Sequence, residues 1–181
     1  MKVNKKIPKT SEQLLLVDES DKVVGIAEKM EAHIKGMLHR AFSAVVLNSK
    51  GQILLQQRAP SKYHSGGLWS NTTCGHPLPS ESTSEAAHRR LSEEMGIACH
   101  LEEVFAFRYS IQLDKGITEN EYNHVLLGRC DNLLPKPHAD EVSNWKWVNL
   151  KDLRVDIKNN PKNYTYWFKI VIEEMQKRNL A

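Results

Sequence analysis

Apolar and polar positions change period several times along the chain, and each change marks an element. Residues 14–17 and 23–27 are short apolar runs about the polar stretch 18–22, which predicts two strands and a turn. Residues 28–38 are polar and mixed, with no apolar stripe. Residues 42–47 form a near-continuous apolar run, Asn48-Ser49-Lys50-Gly51 is turn chemistry, and residues 53–55 resume the pattern, predicting a buried hairpin. Residues 59–80 carry Pro60, Gly66, Gly67, Pro77 and Pro79 and read as a functional or covering loop. Ser82 with Glu85 is a capping-box signal and Gly96 a stop, so a helix is expected over 83–95. Residues 104–113 and 122–129 are candidate strands joined at Asp114-Lys115-Gly116, and 145–148 is a further short one. Tyr164, Trp167, Phe168, Val171, Ile172 and Met175 recur at helical spacing and predict a closing helix over 163–178. Strands, a helix, strands again and a last helix give an α/β (α+β) class, a mixed sheet with helices on its faces.

The helix at 83–95 has an unusual inward face. At roughly 100° per residue, Ala87, Leu91 and Met95 define the apolar stripe, and Arg90 and Glu94 fall on or beside it. Burying a guanidinium and a carboxylate costs several kcal/mol, on the order expected for desolvated ions, unless each finds a partner. Both positions are therefore expected to meet a ligand.

Composition limits the partners. The 181 residues suit one domain, taken as 11–181, behind a lysine-rich and loose tail over 1–10. The 25 basic and 22 acidic residues are interspersed, for a net charge of +3. No basic, aromatic-lined stripe is present, so no nucleic acid is expected as a partner. The tail has no apolar run behind its lysines, so neither a signal peptide nor a membrane partner is expected. Cys74, Cys99 and Cys130 are an odd number without paired spacing, which points to free thiols and a cytoplasmic protein. A monomer or weak homodimer is expected.

The chemistry-bearing residues cluster in sequence. Glu119-Asn120-Glu121 follows a turn and enters a strand, so both carboxylates project to one side. His33, His39 and His76 could complete a site with them, since imidazole and carboxylate together suit a divalent first-row metal. From Gly75 the chain reads five residues, Glu81, seven residues, Arg89, Arg90, Leu91, one residue, Glu93, Glu94, one residue, Gly96 and Ile97. This stretch of 23 positions resembles the Nudix box and departs from it at Arg90, which stands where that family has its first helical glutamate.

The wider pattern resembles the type I isopentenyl-diphosphate isomerases. It comprises Lys29 ahead of His33, His39 before the apolar strand, Arg58 and Lys62 in the loop, and the run Trp69-Ser70-Asn71-Thr72-Thr73-Cys74-Gly75-His76-Pro77. Arg90, Glu94, Tyr109, Glu119-Asn120-Glu121 and Trp167 complete it. The resemblance implies a Nudix-type α/β/α sandwich and the interconversion of isopentenyl and dimethylallyl diphosphate through a tertiary carbocation. By it, His33, His39, His76, Glu119 and Glu121 hold one divalent ion, for which Mn, Mg or Zn would serve. A magnesium ion would join Glu94 and the Cys74 carbonyl to the diphosphate of a small allylic or homoallylic substrate. Lys29, Arg58, Lys62 and Arg90 would clamp that diphosphate. Glu121, with Tyr109 near it, is expected to donate the proton and Cys74, acidified by nearby positive charge, to remove one from the opposite face. Trp167 is expected either to lay its ring against the cation or to serve the core.

Two other classes compete. A pyrophosphohydrolase of a nucleoside or other diphosphate would use Glu93 and Glu94, and a non-catalytic protein would store metal on the His and Glu set or bind nucleic acid. Arg90 removes a carboxylate that hydrolysis needs, and mixed charge weakens the nucleic-acid version.

Overall fold

The computed structural model describes residues 12–113 and 116–180. The expected tail over 1–10 lies outside them, as do Asp114 and Lys115 of the expected turn. The first two strands form as expected, β1 (Gln13–Val17) and β2 (Val23–Glu28), antiparallel about the polar turn. The mixed stretch that follows is a short helix, α1 (Lys29–Lys35), capped by the Glu28 carboxylate and ended by Gly36 at φ 62°. Only Ala32 and His33 of α1 are buried, so no apolar period announces it.

Strand β3 (His39–Leu47) is followed by β4 (Gln52–Arg58). The expected hairpin between them is corrected: they pair only at Leu47 and Ile53. Beyond the turn β3 runs parallel to β8 (Thr118–Arg129) and antiparallel to β6 (Thr73–Gly75). Strand β4 turns instead to β9 (Val142–Asn149) and β5 (Trp69–Ser70). A continuous apolar run marks a strand buried on both faces and leaves its neighbour open. Strand β7 (Leu101–Gln112) closes the far edge against β8.

Alternation along β3 divides the core. Phe42, Ala44 and Val46 face α2 (Thr83–Met95) and pack with Ala86, Ala87, Leu91 and Met95. Val45 and Leu47 face the other way, toward α3 (Leu150–Asn159) and α4 (Tyr166–Lys177), where Leu153, Trp167, Phe168, Val171, Ile172 and Met175 cover them. The result is an α/β/α sandwich around a mixed sheet. Helix α2 keeps the predicted bounds, with Ser82 and Glu85 exchanging both capping-box bonds and Gly96 ending it at φ 63°. Helix α3, which buries only Leu150 and Leu153, has no counterpart in the sequence reading. Among the described residues no helix is long and apolar enough to cross a membrane.

Candidate functional site

The first turns of β3 and β8 build the site because the two strands run parallel. Their register sets His39 beside Glu121, and on β8 Glu119, Glu121 and Asn123 share the face that continues into Val125 and Leu127. Helix α1 delivers His33 from above and the loop after β6 delivers His76. All five predicted ligands are buried, His33 and His39 completely. Donor atoms of His33, His39, His76 and Glu119 lie within 4.8 Å of one another, and Glu121 Oε1 is 3.3 Å from His76 Nε2 and 3.9 Å from His39 Nε2.

Hydrogen bonds on the outer side of these rings fix what faces inward. His33 Nδ1 donates to the Lys29 carbonyl at 2.6 Å and His39 Nδ1 to the Met37 carbonyl at 2.8 Å. A carbonyl only accepts, so the proton is on Nδ1 and the lone pair on Nε2. Those two Nε2 atoms and His76 Nδ1 are buried with no hydrogen-bond partner. Buried polar atoms without partners are costly; His33 Nε2 faces Glu119 at 3.4 Å and His39 Nε2 faces Glu121 at 3.9 Å, while His76 turns its other nitrogen, Nε2, to Glu121 at 3.3 Å, and the set suits a divalent metal. Burial disfavours the charged form of two of the rings, pushing His39 down to about 4 and His76 well below the ordinary histidine range.

The two carboxyl groups are driven apart. Burial, with Glu119 beside it, holds Glu121 well above the usual carboxylate range. Burial opposes ionisation of Glu119 too, yet the His33 ring at 3.4 Å and the His64 ring at 2.9 Å win and hold it well below that range. Tyr109 donates to Glu121 Oε2 at 2.8 Å and Asn123 at 2.9 Å. One site thus sets two carboxyl groups of opposed acidity side by side.

A second ionic cluster lies across the sheet, on α2. Glu94 is buried, and Arg90 Nη2 donates to its Oε1 at 2.5 Å while Gln56 and Thr73 each donate to its Oε2 at 2.7 Å. Arg90 also reaches Glu93 at 2.9 Å and Glu141 at 3.1 Å, and Lys62 meets Glu141 at 2.5 Å. Against desolvation, which would lower it, Glu94 and Glu141 raise the Arg90 pKa. This corrects one expectation: Arg90 and Glu94 find their partners in each other and their neighbours.

A cleft of about 1210 Å³ joins the clusters. Lys29, Arg58, Lys62, Arg90, Cys74, His76, Glu94, Glu119, Glu121 and Trp167 all line it, with His33, His39 and Tyr109 behind its wall. Lys29 is paired with Glu12 at 2.8 Å and stands 5.2 Å over the Tyr63 ring. Strand β6 registers Cys74 against Ser43 on the Glu121 face of the sheet. The sulfur is 3.9 Å from Arg58 Nη1, whose guanidinium lies 5.3 Å over the Trp167 ring. Burial dominates over that cation and pushes the thiol up to about 12, so Arg58 by itself does not acidify it. Trp167 packs in the core and also lines the cleft, with Nε1 donating to Asn71 at 3.2 Å.

Four further residues belong to this constellation and escaped the sequence reading. Asn123 holds Glu121, Glu141 neutralises Lys62 and Arg90, and Tyr63 and His64 descend from the loop. Period-two spacing after Glu121 could have found Asn123. Glu141 and His64 are joined to the site only by tertiary contacts.

The NUDIX domain family matches residues 37–168. The isopentenyl-diphosphate Delta-isomerase 2 of Photorhabdus laumondii is 50% identical over 93% of this chain and 95% of its own length. The isopentenyl-diphosphate Delta-isomerase of Pectobacterium atrosepticum is 49% identical over 87% of this chain and 88% of its own. Among solved structures, a Deinococcus radiodurans protein superposes with a TM-score of 0.73 at 20% identity, over 90% of this chain and 98% of that one, a likeness of fold.

Proposed function

The chain belongs to the NUDIX family and, within it, to the isopentenyl-diphosphate Delta-isomerases, and from that membership we propose how its residues carry the reaction. The enzyme interconverts isopentenyl and dimethylallyl diphosphate. A proton joins the terminal alkene carbon as the π bond breaks, leaving a tertiary cation. A proton then leaves the carbon on the other side and its bonding pair closes the new double bond. The diphosphate stays intact and serves as the handle whose binding energy orients the hydrocarbon.

Glu121 is the donor. Its carboxyl is held protonated by burial and by Glu119, with Tyr109 and Asn123 fixing Oε2. Cys74 is the base. Its thiol must lose a proton before it acts, and Arg58 is the neighbour that favours the thiolate, against burial. Once proton transfer is complete, Glu121 is ionised and Cys74 protonated, and a proton must return between them before the next turnover. Trp167 offers its ring to the positive charge.

Lys29, Arg58, Lys62 and Arg90 bind the diphosphate, which competes with Glu12, Glu141 and Glu94 for them. A divalent ion, Mn, Mg or Zn, would be held by His33, His39, His76, Glu119 and Glu121, and would tie the acidity of Glu121 to its charge. Glu94 and the Cys74 carbonyl would hold magnesium arriving with the diphosphate. Residues 11–181 act as one domain in this reading, and the free thiols Cys74, Cys99 and Cys130 support a cytoplasmic location.

The observation that carries the proposal is the joint lining of one cleft by Cys74, Glu121 and four cationic side chains beside unpartnered buried imidazoles. Incubation with isopentenyl diphosphate in heavy water tests it. Deuterium should enter dimethylallyl diphosphate without phosphate release, whereas release of phosphate without exchange would establish hydrolysis instead. Hydrolysis is disfavoured by Arg90, which occupies a carboxylate position of the helix.

A further inference from the structure

The loop between β4 and β5 carries Arg58 at its base and Lys62 on its course, and it reaches the metal-ligating residues through His64. It is tightly tied. Arg58 and Leu68 bond across its neck at 2.9 Å, Gly67 donates back to the Arg58 carbonyl at 2.9 Å, and Lys62 to the Ala59 carbonyl at 3.1 Å. A Cβ on Gly66 would stand 2.6 Å from the Pro60 carbonyl oxygen, so only glycine lets the loop fold this closely. Ser65 takes a left-handed conformation at φ 51°, an uncommon one for a side chain without amide chemistry.

That geometry orients His64. Ser65 Oγ lies 3.2 Å from His64 Nδ1, and a hydroxyl donating there leaves the ring proton on Nε2. Nε2 is 2.9 Å from Glu119 Oε1, with 8% of the histidine side chain and 2% of the glutamate exposed. The ring centroid lies 5.7 Å from that of Trp167 with the planes at 83°, and the His64 carbonyl accepts from Arg58 Nη2 at 3.2 Å. His64 Nε2 is already spent on Glu119 Oε1 and its Nδ1 faces Ser65 Oγ, so both ring nitrogens are engaged by the protein. It therefore touches a ligand without joining the ligands.

We propose that His64 is a positioning residue: its Nε2–H fixes the Glu119 carboxylate and ties the loop bearing Arg58 and Lys62 to the metal centre. Ordering of the loop and loading of the ion then stabilise each other, as coupled equilibria must. This rests on the metal reading above. Hydrogen bonds that orient a ligand are commonly worth about 10-fold to 100-fold in metal affinity.

Zinc and manganese affinities of the full chain, measured by competition with a chromophoric chelator, test it in wild type, His64→Ala and His64→Gln. The expected result is a loss of about 10-fold to 100-fold for alanine and recovery of most of it by glutamine, whose amide can donate from a similar reach. Hydrogen exchange of the 59–68 amides should slow on adding metal to wild type and respond less in His64→Ala. Alanine binding as tightly as wild type, or glutamine losing as much as alanine, overturns the role of the donated hydrogen bond. Wild type binding neither ion would instead overturn the metal reading itself, a separate outcome.

Discussion

The two ionic clusters flanking the cleft are opposites in how their charges are satisfied. On α2, Glu94 accepts from Arg90, Gln56 and Thr73, and Arg90 is shared with Glu93 and Glu141. On the opposite face, three buried imidazoles leave a nitrogen each without a partner while their outer nitrogens or neighbours hold them rigidly. The first arrangement already neutralises itself in the resting protein, so an arriving diphosphate or ion must exchange for protein partners. The second is a cost carried by the fold until a ligand arrives. Removing a member of the α2 cluster should therefore cost stability, and removing a member of the His/Glu cluster should cost function.

Cys74 sharpens the contrast most, because β6 turns its side chain to the His/Glu face while Thr73 beside it bonds to Glu94. Cys74→Ala removes only the proton acceptor, and turnover is expected to fall by about 100-fold to 10⁴-fold with thermal midpoint and pyrophosphate binding retained. Near-normal turnover would remove the thiol from the mechanism. His39→Ala comes next. Loss of a ligand should weaken metal binding by at least about 100-fold, beyond the effect of disturbing an orienting group, while the metal-free protein melts close to wild type because an unpartnered nitrogen has gone. A large drop in the metal-free midpoint would mean that His39 is a structural core residue.

Arg90→Met attacks the satisfied cluster. It strands the buried Glu94, and breaking a buried pair from one side costs about 3 kcal/mol or more. For a chain of this size that lowers the midpoint by roughly 6–12 °C, read by calorimetry without metal or substrate. An unchanged midpoint would show that Gln56 and Thr73 alone hold the carboxylate, and the contrast between the clusters would fail.

The same contrast explains what the sequence made legible. Helix α2 was readable to the residue, since its capping box, stop and apolar stripe are local signals. His33, His39, His76, Glu119 and Glu121 were singled out together through the family resemblance, and only the parallel register of β3 and β8 makes neighbours of His39 and Glu121. Helices α1 and α3 bury two residues each and leave too little periodicity to detect. The split of β3 from β4 was hidden because a doubly buried strand reads alike whichever neighbour it takes. Arg90 and Glu94 were read as awaiting a ligand because the Gln56 amide that donates to Glu94 and the Glu141 carboxylate that pairs with Arg90 come from another strand and a loop. The depth of burial that raises the Cys74 pKa against Arg58 is likewise not displayed by sequence.

The smallest expected effect tests whether the satisfied side behaves as a pH-dependent support. Glu81, at the loop entering α2, accepts from Arg89 Nε at 2.6 Å and Nη2 at 2.8 Å. The Arg89 hydrogen bonds, ahead of desolvation which opposes them, lower its pKa from the ordinary 4.5. A depressed carboxylate binds fewer protons folded than unfolded, so its contribution is complete above the unfolded value and is lost as pH falls through the folded one. Glu81→Gln should therefore cost stability at pH 7 and progressively less below pH 4.5, with the two melting curves converging in acid. Arg89 is partly exposed and solvent screens the pair, so the difference at neutral pH should not exceed about 1 kcal/mol. A gap that stayed constant into acid would assign the Glu81 contribution to packing, leaving Arg90 and Glu94 as the charged support of α2.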